Sequence, residues 1–152
     1  MPARTCPTCG ETLQTDCFRK GASSCVWCVF SAKSKRAKAR YRDKQKLAKG
    51  RLSITMGEFV AWYEAQHDRC AYCGLTFADL KRLRIKRGGG YSVSWDVDRI
   101  DSSRPYEPGN LALSCFVCNM AKGDMLSAAE ARIVGEAVGR VWCARLAGAD
   151  GA

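Results

Sequence analysis

Three things are scarce in this 152-residue sequence: histidine, acidic residues and long apolar runs. His67 is the single histidine, so chemistry that depends on an imidazole has one group to draw on. No stretch reaches the ~18 apolar residues of a membrane span, and the N-terminal residues carry no run of signal-peptide length. The sequence therefore predicts no membrane association, and it favours a reducing cytoplasm.

Cysteine, in contrast, is abundant, with ten residues. Uniform C-x-x-C pairs are typical of zinc sites because each tight turn aims two thiolates at one point, whereas disulfide frameworks rarely show such spacing. The pattern predicts two structural Zn²⁺ sites, and a disulfide framework is the alternative. Cys17 and Cys143 are left over and are interpreted as thiols outside the metal sites. The predicted ligands are the four pairs Cys6/Cys9, Cys25/Cys28, Cys70/Cys73 and Cys115/Cys118.

Basic residues outnumber acidic ones by 25 to 15, which gives a formal net charge of +10. Ten Lys or Arg fall between Lys33 and Arg51, against one acid, Asp43. Such a density of positive charge indicates a polyanionic partner, of which nucleic acid is the commonest; the alternative is a solvated helix without a partner. The predicted nucleic-acid contacts are Lys33, Lys35, Arg36, Lys38, Arg40, Arg42, Lys44 and Lys46.

The order of the patterns predicts an α+β protein in four parts. Residues 1–30 are interpreted as an N-terminal zinc-knuckle module with Phe18 and Trp27 in its core, and residues 31–52 as a basic linker helix that tertiary packing holds weakly. Residues 53–147 form the main domain, and residues 148–152 are a tail. A capping box at Thr55 opens a helix with an aromatic stripe.

Further along, residues 81–90 are basic and then glycine-rich, which predicts a flexible positive loop. Residues 91–98 alternate apolar and polar side chains and predict a strand, residues 111–114 a returning strand, and the region near Asn119 the start of a helix. A second capping box at Ser127 introduces the last helix. Its predicted core face consists of Ile133, Val134, Ala137, Val138, Val141 and Trp142.

The last two cysteine pairs bracket a segment rich in oxygen ligands. Residues 96–101 read Asp-Val-Asp-Arg-Ile-Asp, residues 109–111 read Gly-Asn-Leu, and residues 113–122 read Leu-Ser-Cys-Phe-Val-Cys-Asn-Met-Ala-Lys. In this order the motifs resemble the HNH endonuclease family, particularly its phage and mobile-element branch with a four-cysteine zinc site. The resemblance covers roughly residues 55–142 and implies a small zinc-stabilised ββα-metal domain with flanking helices.

The resemblance also implies roles for individual residues. Asp98 is expected to bind a catalytic divalent cation, Mg²⁺ or Mn²⁺, and Asn119 to complete that site through its amide oxygen. Asn110 is expected to brace the loop between the strands, and Lys122 to lie near the phosphodiester. Carboxylate and amide oxygens are hard ligands that suit such cations, so the chemistry agrees with these roles.

The sequence departs from the family pattern at Arg99, where active relatives have a histidine as general base. Arginine stays protonated and cannot accept that proton, although it can bind phosphate in a bidentate manner. Asp96 or Asp101 could act as the base instead; alternatively, both carboxylates cap turns and pair with Arg99 or Arg104. His67 is interpreted as a packing or surface residue.

Two functions remain open. The first is a metal-dependent HNH-type endonuclease or nickase that hydrolyses nucleic-acid phosphodiester bonds. The second is a nucleic-acid-binding accessory or regulatory protein on a degenerate HNH scaffold; a protein-binding zinc adaptor is disfavoured because it has no need of so many cations. DNA is the expected partner, and the oligomeric state is open. The expected location is the cytoplasm of a bacterial or phage-infected cell. The candidate catalytic residues are Asp98, Asn119, Arg99, Asn110, Lys122, Asp96 and Asp101.

Overall fold

The chain divides into two units, and each is built from two separate segments. In the computed structural model, residues 2–8, 10–25, 32–48, 50–92 and 94–150 are described. The first unit combines Met1–Leu47 with Thr55–Ala65, and the second combines Ala48–Ile54 with Gln66–Ala152. This division differs from the predicted boundary at residue 53, because residues 55–65 belong with the first unit.

The described residues of the first unit form one small hairpin and two helices. Strands β1 (Ala3–Thr5) and β2 (Thr12–Gln14) pair antiparallel, with Arg4 opposite Leu13. A single 3₁₀ turn follows at Thr15–Cys17. The helices are α1 (Ala32–Leu47) and α2 (Met56–Ala65).

Aromatic packing explains why α2 lies in the first unit. Tyr41 of α1 is buried, and its ring centroid lies 5.4 Å from that of Phe59 on α2. Ser34 of α1 donates a hydrogen bond to the Glu64 carboxylate at the other end of α2. Burial of an aromatic side chain of this size contributes roughly 1.5–3 kcal/mol, so α1 is a packed helix and not a weakly held linker.

The predicted capping box at the start of α2 is confirmed. The Thr55 backbone amide donates to a Glu58 carboxylate oxygen at 2.9 Å, and the Glu58 amide donates to the Thr55 hydroxyl at 3.2 Å. These two bonds satisfy amides that a helix start otherwise leaves without a partner. A short sequence pattern therefore determined this helix end correctly.

In the second unit, two hairpins and three helices lie within the part of the chain that the structure describes. Helix α3 spans Phe77–Leu83, followed by β3 (Lys86–Arg87) and β4 (Gly90–Tyr91), which pair antiparallel. Strands β5 (Asp96–Arg99) and β6 (Leu111–Ser114) form the second hairpin. Helices α4 (Phe116–Lys122) and α5 (Ala128–Asp150) complete the unit.

Two sequence expectations for this unit need correction. The basic segment predicted as a flexible loop is largely ordered, since Lys81 lies in α3 and Lys86 in β3. The predicted strand over residues 91–98 is instead two strands: β4 ends at Tyr91 and β5 begins at Asp96, while Val93 lies outside the described residues. Only the second half of the alternating pattern therefore belongs to the hairpin of β5 and β6, called the central hairpin below.

Helix α5 buries a different face from the one predicted. The capping box is present, since the Ser127 amide donates to Glu130 at 2.8 Å and the Glu130 amide to Ser127 at 3.2 Å. However, Ile133 is 70% exposed and Val141 is 48% exposed, whereas Trp142 is buried. The buried side of the helix instead includes small residues, which are described with the site.

The short segment 48–54 is tied to the second unit by backbone pairing. The Ser53 amide donates to the Tyr106 carbonyl at 2.8 Å, and the Tyr106 amide donates to the Arg51 carbonyl at 2.7 Å. These bonds fix the segment against the loop that joins β5 and β6. Within the described parts of the chain, no helix has both the length and the apolar character needed to cross a membrane.

Candidate active site

Four cysteines meet beside the central hairpin. The sulfur atoms of Cys70, Cys73, Cys115 and Cys118 all lie within 4.8 Å of one another. A tetrahedron with zinc–sulfur bonds of about 2.3 Å has sulfur–sulfur edges of about 3.8 Å, and the Cys73–Cys115 separation is 3.8 Å. The donor set therefore fits one tetrahedral metal ion, and no disulfide joins the described cysteines.

The N-terminal cysteines are described only in part. Cys6 and Cys25 are both fully buried, and the Cys25 amide donates to the Cys6 sulfur at 3.3 Å. Phe18 packs with them, in agreement with its predicted place in this core. The other predicted ligands, Cys9 and Cys28, lie outside the described residues, as does Trp27.

The cysteine cluster positions the hairpin and α4 relative to each other. Cys115 caps α4, since its sulfur accepts from the Cys118 amide at 3.4 Å, and the helix begins at Phe116, three residues earlier than predicted. The Ala71 amide donates to the Leu113 carbonyl at 2.8 Å, which joins the knuckle formed by Cys70–Cys73 to β6. Knuckle, strand and helix are thus held around one point.

Asp98 lies at this junction and is buried, with 7% of its surface exposed. One of its carboxylate oxygens accepts a hydrogen bond from the Tyr72 hydroxyl, and the other faces the Lys122 ammonium at 3.3 Å. Burial, followed by the hydrogen bond to Asp98, raises the pKa of Tyr72 above its ordinary value. The Tyr72 hydroxyl therefore keeps its proton in this arrangement and fixes the orientation of the carboxylate.

Lys122 is enclosed beneath the hairpin, with 1% of its surface exposed. Its ammonium reaches the Arg99 carbonyl at 2.8 Å and the Ser102 hydroxyl at 3.1 Å, besides Asp98. A lysine ammonium has three N–H donors, and each has a partner here. This arrangement favours a role in holding Asp98 and the loop over the predicted contact with a phosphodiester.

Asn119 contacts Asp96 and not Asp98 in this structure. Its amide nitrogen donates to one Asp96 oxygen at 3.1 Å, while Arg87 binds the other oxygen at 2.7 Å. Asp96 and Asp98 are two residues apart on β5 and so lie on the same face, which α4 covers through Asn119 and Lys122. The amide orientation leaves the Asn119 carbonyl oxygen as the atom that could bind a cation.

Asn110 braces the loop between the two strands. Its side chain accepts from the Asp101 amide at 2.8 Å and donates to the Asp101 carbonyl at 3.1 Å and the Pro105 carbonyl at 2.9 Å. These bonds are of the kind that the family resemblance implies for this position. Asn110 is 1% exposed, so the loop conformation depends on one buried amide.

Asp101 has the geometry of a turn cap. Its carboxylate accepts from the Ser103 amide at 2.9 Å and from the Ser103 hydroxyl at 2.6 Å. These hydrogen bonds lower the pKa of Asp101, which makes it a weaker base. Of the two alternatives that the sequence left open, this geometry favours capping for Asp101.

Arg99 points away from Asp98, as expected for the next residue of a strand. Its guanidinium lies 3.3 Å from an Asp124 carboxylate oxygen and 3.3 Å from the Arg104 carbonyl. Pairing of Asp96 with Arg99 or Arg104, one of the alternatives open from the sequence, is not the one observed, since Asp96 pairs with Arg87. Arg104 in turn pairs with Glu107. Arg99 thus serves here to hold the loop.

The donor chemistry around Asp98 fits a hard divalent cation in an open site. Magnesium is usually held by one or two protein oxygens together with water and substrate phosphates. A carboxylate has about four lone-pair positions, so Asp98 can accept its two hydrogen bonds and still bind a cation. Asn119 offers one further oxygen on the adjacent helix. The same oxygen-rich set would suit zinc poorly.

The residues of α1 predicted to contact nucleic acid differ in exposure. Lys38 is buried, and its ammonium donates to the Cys25 sulfur at 2.8 Å, so it belongs to the cysteine core. Lys33 donates to the Glu64 carbonyl at 3.3 Å. Lys35 and Lys46 are exposed. The half-buried members are Lys33, Arg36, Arg40, Arg42 and Lys44.

Tyr72, which contacts Asp98 from the knuckle, is not among the residues predicted from the sequence. It is one of the two residues between Cys70 and Cys73, so the turn that brings these two sulfur atoms together also sets the direction of its side chain. A further unexpected contact comes from α5, where Gly135 lies against the Tyr72 backbone: a Cβ atom at Gly135 would be 2.3 Å from the Tyr72 carbonyl oxygen. The helix therefore supports the knuckle directly.

No family model matches the sequence, and no curated protein matches it. Among solved structures, the chain is similar to the rare-cutting HNH restriction endonuclease PacI, which is described as perturbing DNA by an unusual mechanism. The two chains are 30% identical, with a TM-score of 0.63, and the match covers 93% of this chain and 96% of that chain.

Proposed function

The chain belongs to the HNH endonuclease family, and on that premise we propose that it is a metal-dependent endonuclease or nickase that hydrolyses DNA phosphodiester bonds. The observation that carries the proposal is the position of Asp98, a buried carboxylate at the meeting point of knuckle, hairpin and helix. Burial of a carboxylate is costly unless it is paired, and Lys122 and Tyr72 pair with Asp98 in a way that holds it in one orientation. The four-cysteine cluster supports the proposal as the scaffold that holds this geometry. Its cysteines would be the ligands of one structural Zn²⁺.

Each side chain has a proposed task. Asp98 and the Asn119 carbonyl oxygen bind Mg²⁺ or Mn²⁺, which would polarise the phosphate and stabilise charge on the leaving oxygen. Tyr72 and Lys122 hold the Asp98 carboxylate in one orientation, and Asn110 keeps the adjoining loop in place. Arg99 contacts phosphate in the complex only if it exchanges Asp124 for the substrate.

Asp96 and Asp101 are the two candidates for the general base. Asp96 is buried and paired with Arg87, and Asp101 caps a turn with a lowered pKa. Either carboxylate could accept a proton from water only when these contacts loosen. We therefore propose that solvent or Asp96 would take the proton of the attacking water, with Asp101 retained as the turn cap. A cation held by Asp98 and Asn119 would assist by lowering the pKa of that water.

The N-terminal part of the chain has a proposed binding role. Cys6, Cys9, Cys25 and Cys28 hold a second structural Zn²⁺, and the exposed lysines of α1, Lys35 and Lys46 among them, contact the DNA backbone. Arg36, Arg40, Arg42 and Lys44 contribute to the same positive surface.

The test is nicking of supercoiled plasmid in the presence of Mg²⁺ or Mn²⁺. Loss of a second-sphere group around a metal already reduces activity or affinity 10- to 100-fold, so Asp98→Asn is expected to lower the cleavage rate at least about 100-fold. DNA affinity should change little, because Asp98 is buried. Glu136→Gln, which removes one exposed acid from α5, is the matched control and should cleave like the wild type.

A wild-type protein that binds DNA but never cuts under any divalent cation would contradict the proposal. That outcome would identify the chain as a binding protein on a degenerate scaffold, an alternative consistent with Arg99 at the position of the general base. Asp101→Asn resolves the remaining assignment: retained cleavage supports the turn cap, and loss of cleavage with normal thermal stability would make Asp101 the base.

A further inference from the structure

A positively charged cavity of about 390 Å³ lies beside Tyr72 in the second unit. The knuckle contributes Tyr72 to its wall, and the residues just before the knuckle contribute His67 and Arg69. Helix α5 contributes Arg132. Apolar side chains of the hairpin, including Leu111, form the rest of the wall. The volume falls within the range of small-ligand sites.

The charge of this cavity is one-sided. Two of its side chains, Arg69 and Arg132, are permanently positive, and His67 adds an imidazole. None of the described residues that line it is an Asp or a Glu. All three basic side chains are exposed, so a ligand can reach them from solvent. An anion is therefore the ligand that this cavity is built to attract.

The cavity is also adjacent to the candidate catalytic carboxylate. Tyr72 lines it, and the hydroxyl of the same residue donates a hydrogen bond to Asp98. Ala112, another wall residue, stands directly opposite Asp98 in the register of the β5–β6 hairpin. A ligand bound here would lie one side chain away from Asp98.

We propose that His67, Arg69 and Arg132 form a subsite for a backbone phosphate next to the one that is cleaved. The inference rests on the proposed nuclease function for the identity of its ligand as DNA. Arginine suits this role because its planar guanidinium can bind two phosphate oxygens at once. The Leu111 side of the wall would contact the apolar face of the adjoining sugar.

Such a subsite would fix the register of the strand across the catalytic centre. A phosphate contact positions nucleic acid without reading its sequence. The neighbouring phosphodiester would then be presented to Asp98, on the far side of Tyr72. The subsite is thus a positioning element, and its loss should affect substrate binding more than the chemical step.

The experiment measures duplex binding by fluorescence anisotropy without divalent cations, from about 50 to about 200 mM NaCl. Arg132→Gln and Arg69→Gln are each expected to weaken binding about tenfold, the effect of one lost charge-assisted hydrogen bond. Each should also make the negative slope of log K against log salt shallower by about 0.9. Arg132→Lys keeps the charge and should restore the slope.

Arg140→Gln is the matched control, because Arg140 is exposed on the same helix but does not line the cavity. It should leave both affinity and slope near their wild-type values. Equal effects of Arg132→Gln and Arg140→Gln would overturn the proposal, since the cavity would then contribute no more than any surface charge. Unchanged zinc content and melting temperature establish that the variants are folded.

Two further readouts separate the subsite from the nuclease proposal. If the protein cuts DNA, Arg132→Gln should raise KM with little change in kcat, and a fall in kcat alone would contradict a positioning role. If the protein never cuts, a changed salt slope still establishes the subsite. Inorganic phosphate distinguishes the source of the ligand: it should compete only weakly with the duplex, and displacement of DNA at a matched phosphate concentration would identify a free-anion site instead.

Discussion

Gly135 offers a sharp test of how α5 supports the catalytic centre. A Cβ atom at this position would lie 2.3 Å from the Tyr72 carbonyl oxygen and 2.5 Å from the Tyr72 carbonyl carbon. Ordinary contact begins at 3.4 Å, so the knuckle or the helix must move by about 1.1 Å to accept a methyl group. Because the atoms in the way belong to the backbone, no side chain can rotate to relieve the clash.

The expected cost follows from this geometry. Overpacking of a well-packed interior costs about 1–3 kcal/mol, and the helix-propensity gain of about 1 kcal/mol for Gly→Ala offsets part of it, which leaves a net loss of up to about 2 kcal/mol. Gly135→Ala should therefore lower the melting temperature by up to about 15 °C for a unit of this size. It should also weaken zinc retention against a chelator, because the displaced knuckle carries Cys70 and Cys73.

The chain contains its own graded controls. A Cβ at Gly139 would lie 3.0 Å from the Cys73 carbonyl oxygen, whereas nothing lies within 4 Å of one at Gly148. Gly139→Ala should therefore have an intermediate effect, and Gly148→Ala should be neutral or raise the melting temperature by a few degrees. Differential scanning calorimetry measures all three. Equal melting temperatures for the three variants would refute the close approach of α5 to the knuckle.

Three other perturbations test separate parts of the structure. Cys115→Ser, or zinc removal by a strong chelator, should unfold the second unit. The reason is that structural zinc contributes about 10–16 kcal/mol of binding free energy in small sites. A native amide spectrum after metal loss would contradict this expectation. Lys46→Glu should weaken DNA binding and flatten its salt dependence, while the buried Lys38→Ala should lower thermal stability instead, and the reverse pattern in anisotropy and melting experiments would exclude the assigned exposures. Asn110→Ala should lower the free energy of unfolding in urea by about 2–4 kcal/mol, because it removes the hydrogen bonds that Asn110 makes with the Pro105 carbonyl and the Asp101 amide. A loss below about 0.5 kcal/mol would show that the loop does not depend on this side chain.

Local patterns in the sequence predicted local structure well. The capping boxes at Thr55 and Ser127 are both present, because a capping box needs only residues that are close together in the chain. The cysteine pairs Cys70/Cys73 and Cys115/Cys118 likewise meet as their spacing indicated. Each capping box and each cysteine pair is formed within one short segment, although the meeting of the two pairs depends on the fold.

Features that depend on distant partners were harder to predict. Apolar periodicity suggested that Ile133 and Val141 face the core, but Gly135 brings the backbone of α5 so close to the knuckle that the helix turns another face inward. The motif places Lys122 near the phosphodiester, and only the fold shows that three oxygens enclose it. Periodicity counts side chains by type and contains no information on how near a backbone can come.

The candidate site shows the same limit. Asp98 was found because the motif around it is contiguous, whereas Tyr72 comes from a knuckle 26 residues earlier in the chain. The interaction of Asn119 with Asp96 also depends on how α4 lies across the hairpin. A sequence motif identifies which groups are available, and the tertiary arrangement decides which of them share a hydrogen bond.

The interleaved path of the chain between its two units has a practical consequence for dissecting the protein. Since residues 48–54 belong to the second unit and residues 55–65 return to the first, no single cut yields both units intact. A fragment that starts at residue 53 would carry α2 without α1, and Phe59 would lose its contact with Tyr41 of α1. Any transfer of this nuclease-like module into another protein would therefore have to take the basic helix with it, so that metal centre and positive surface are inherited together.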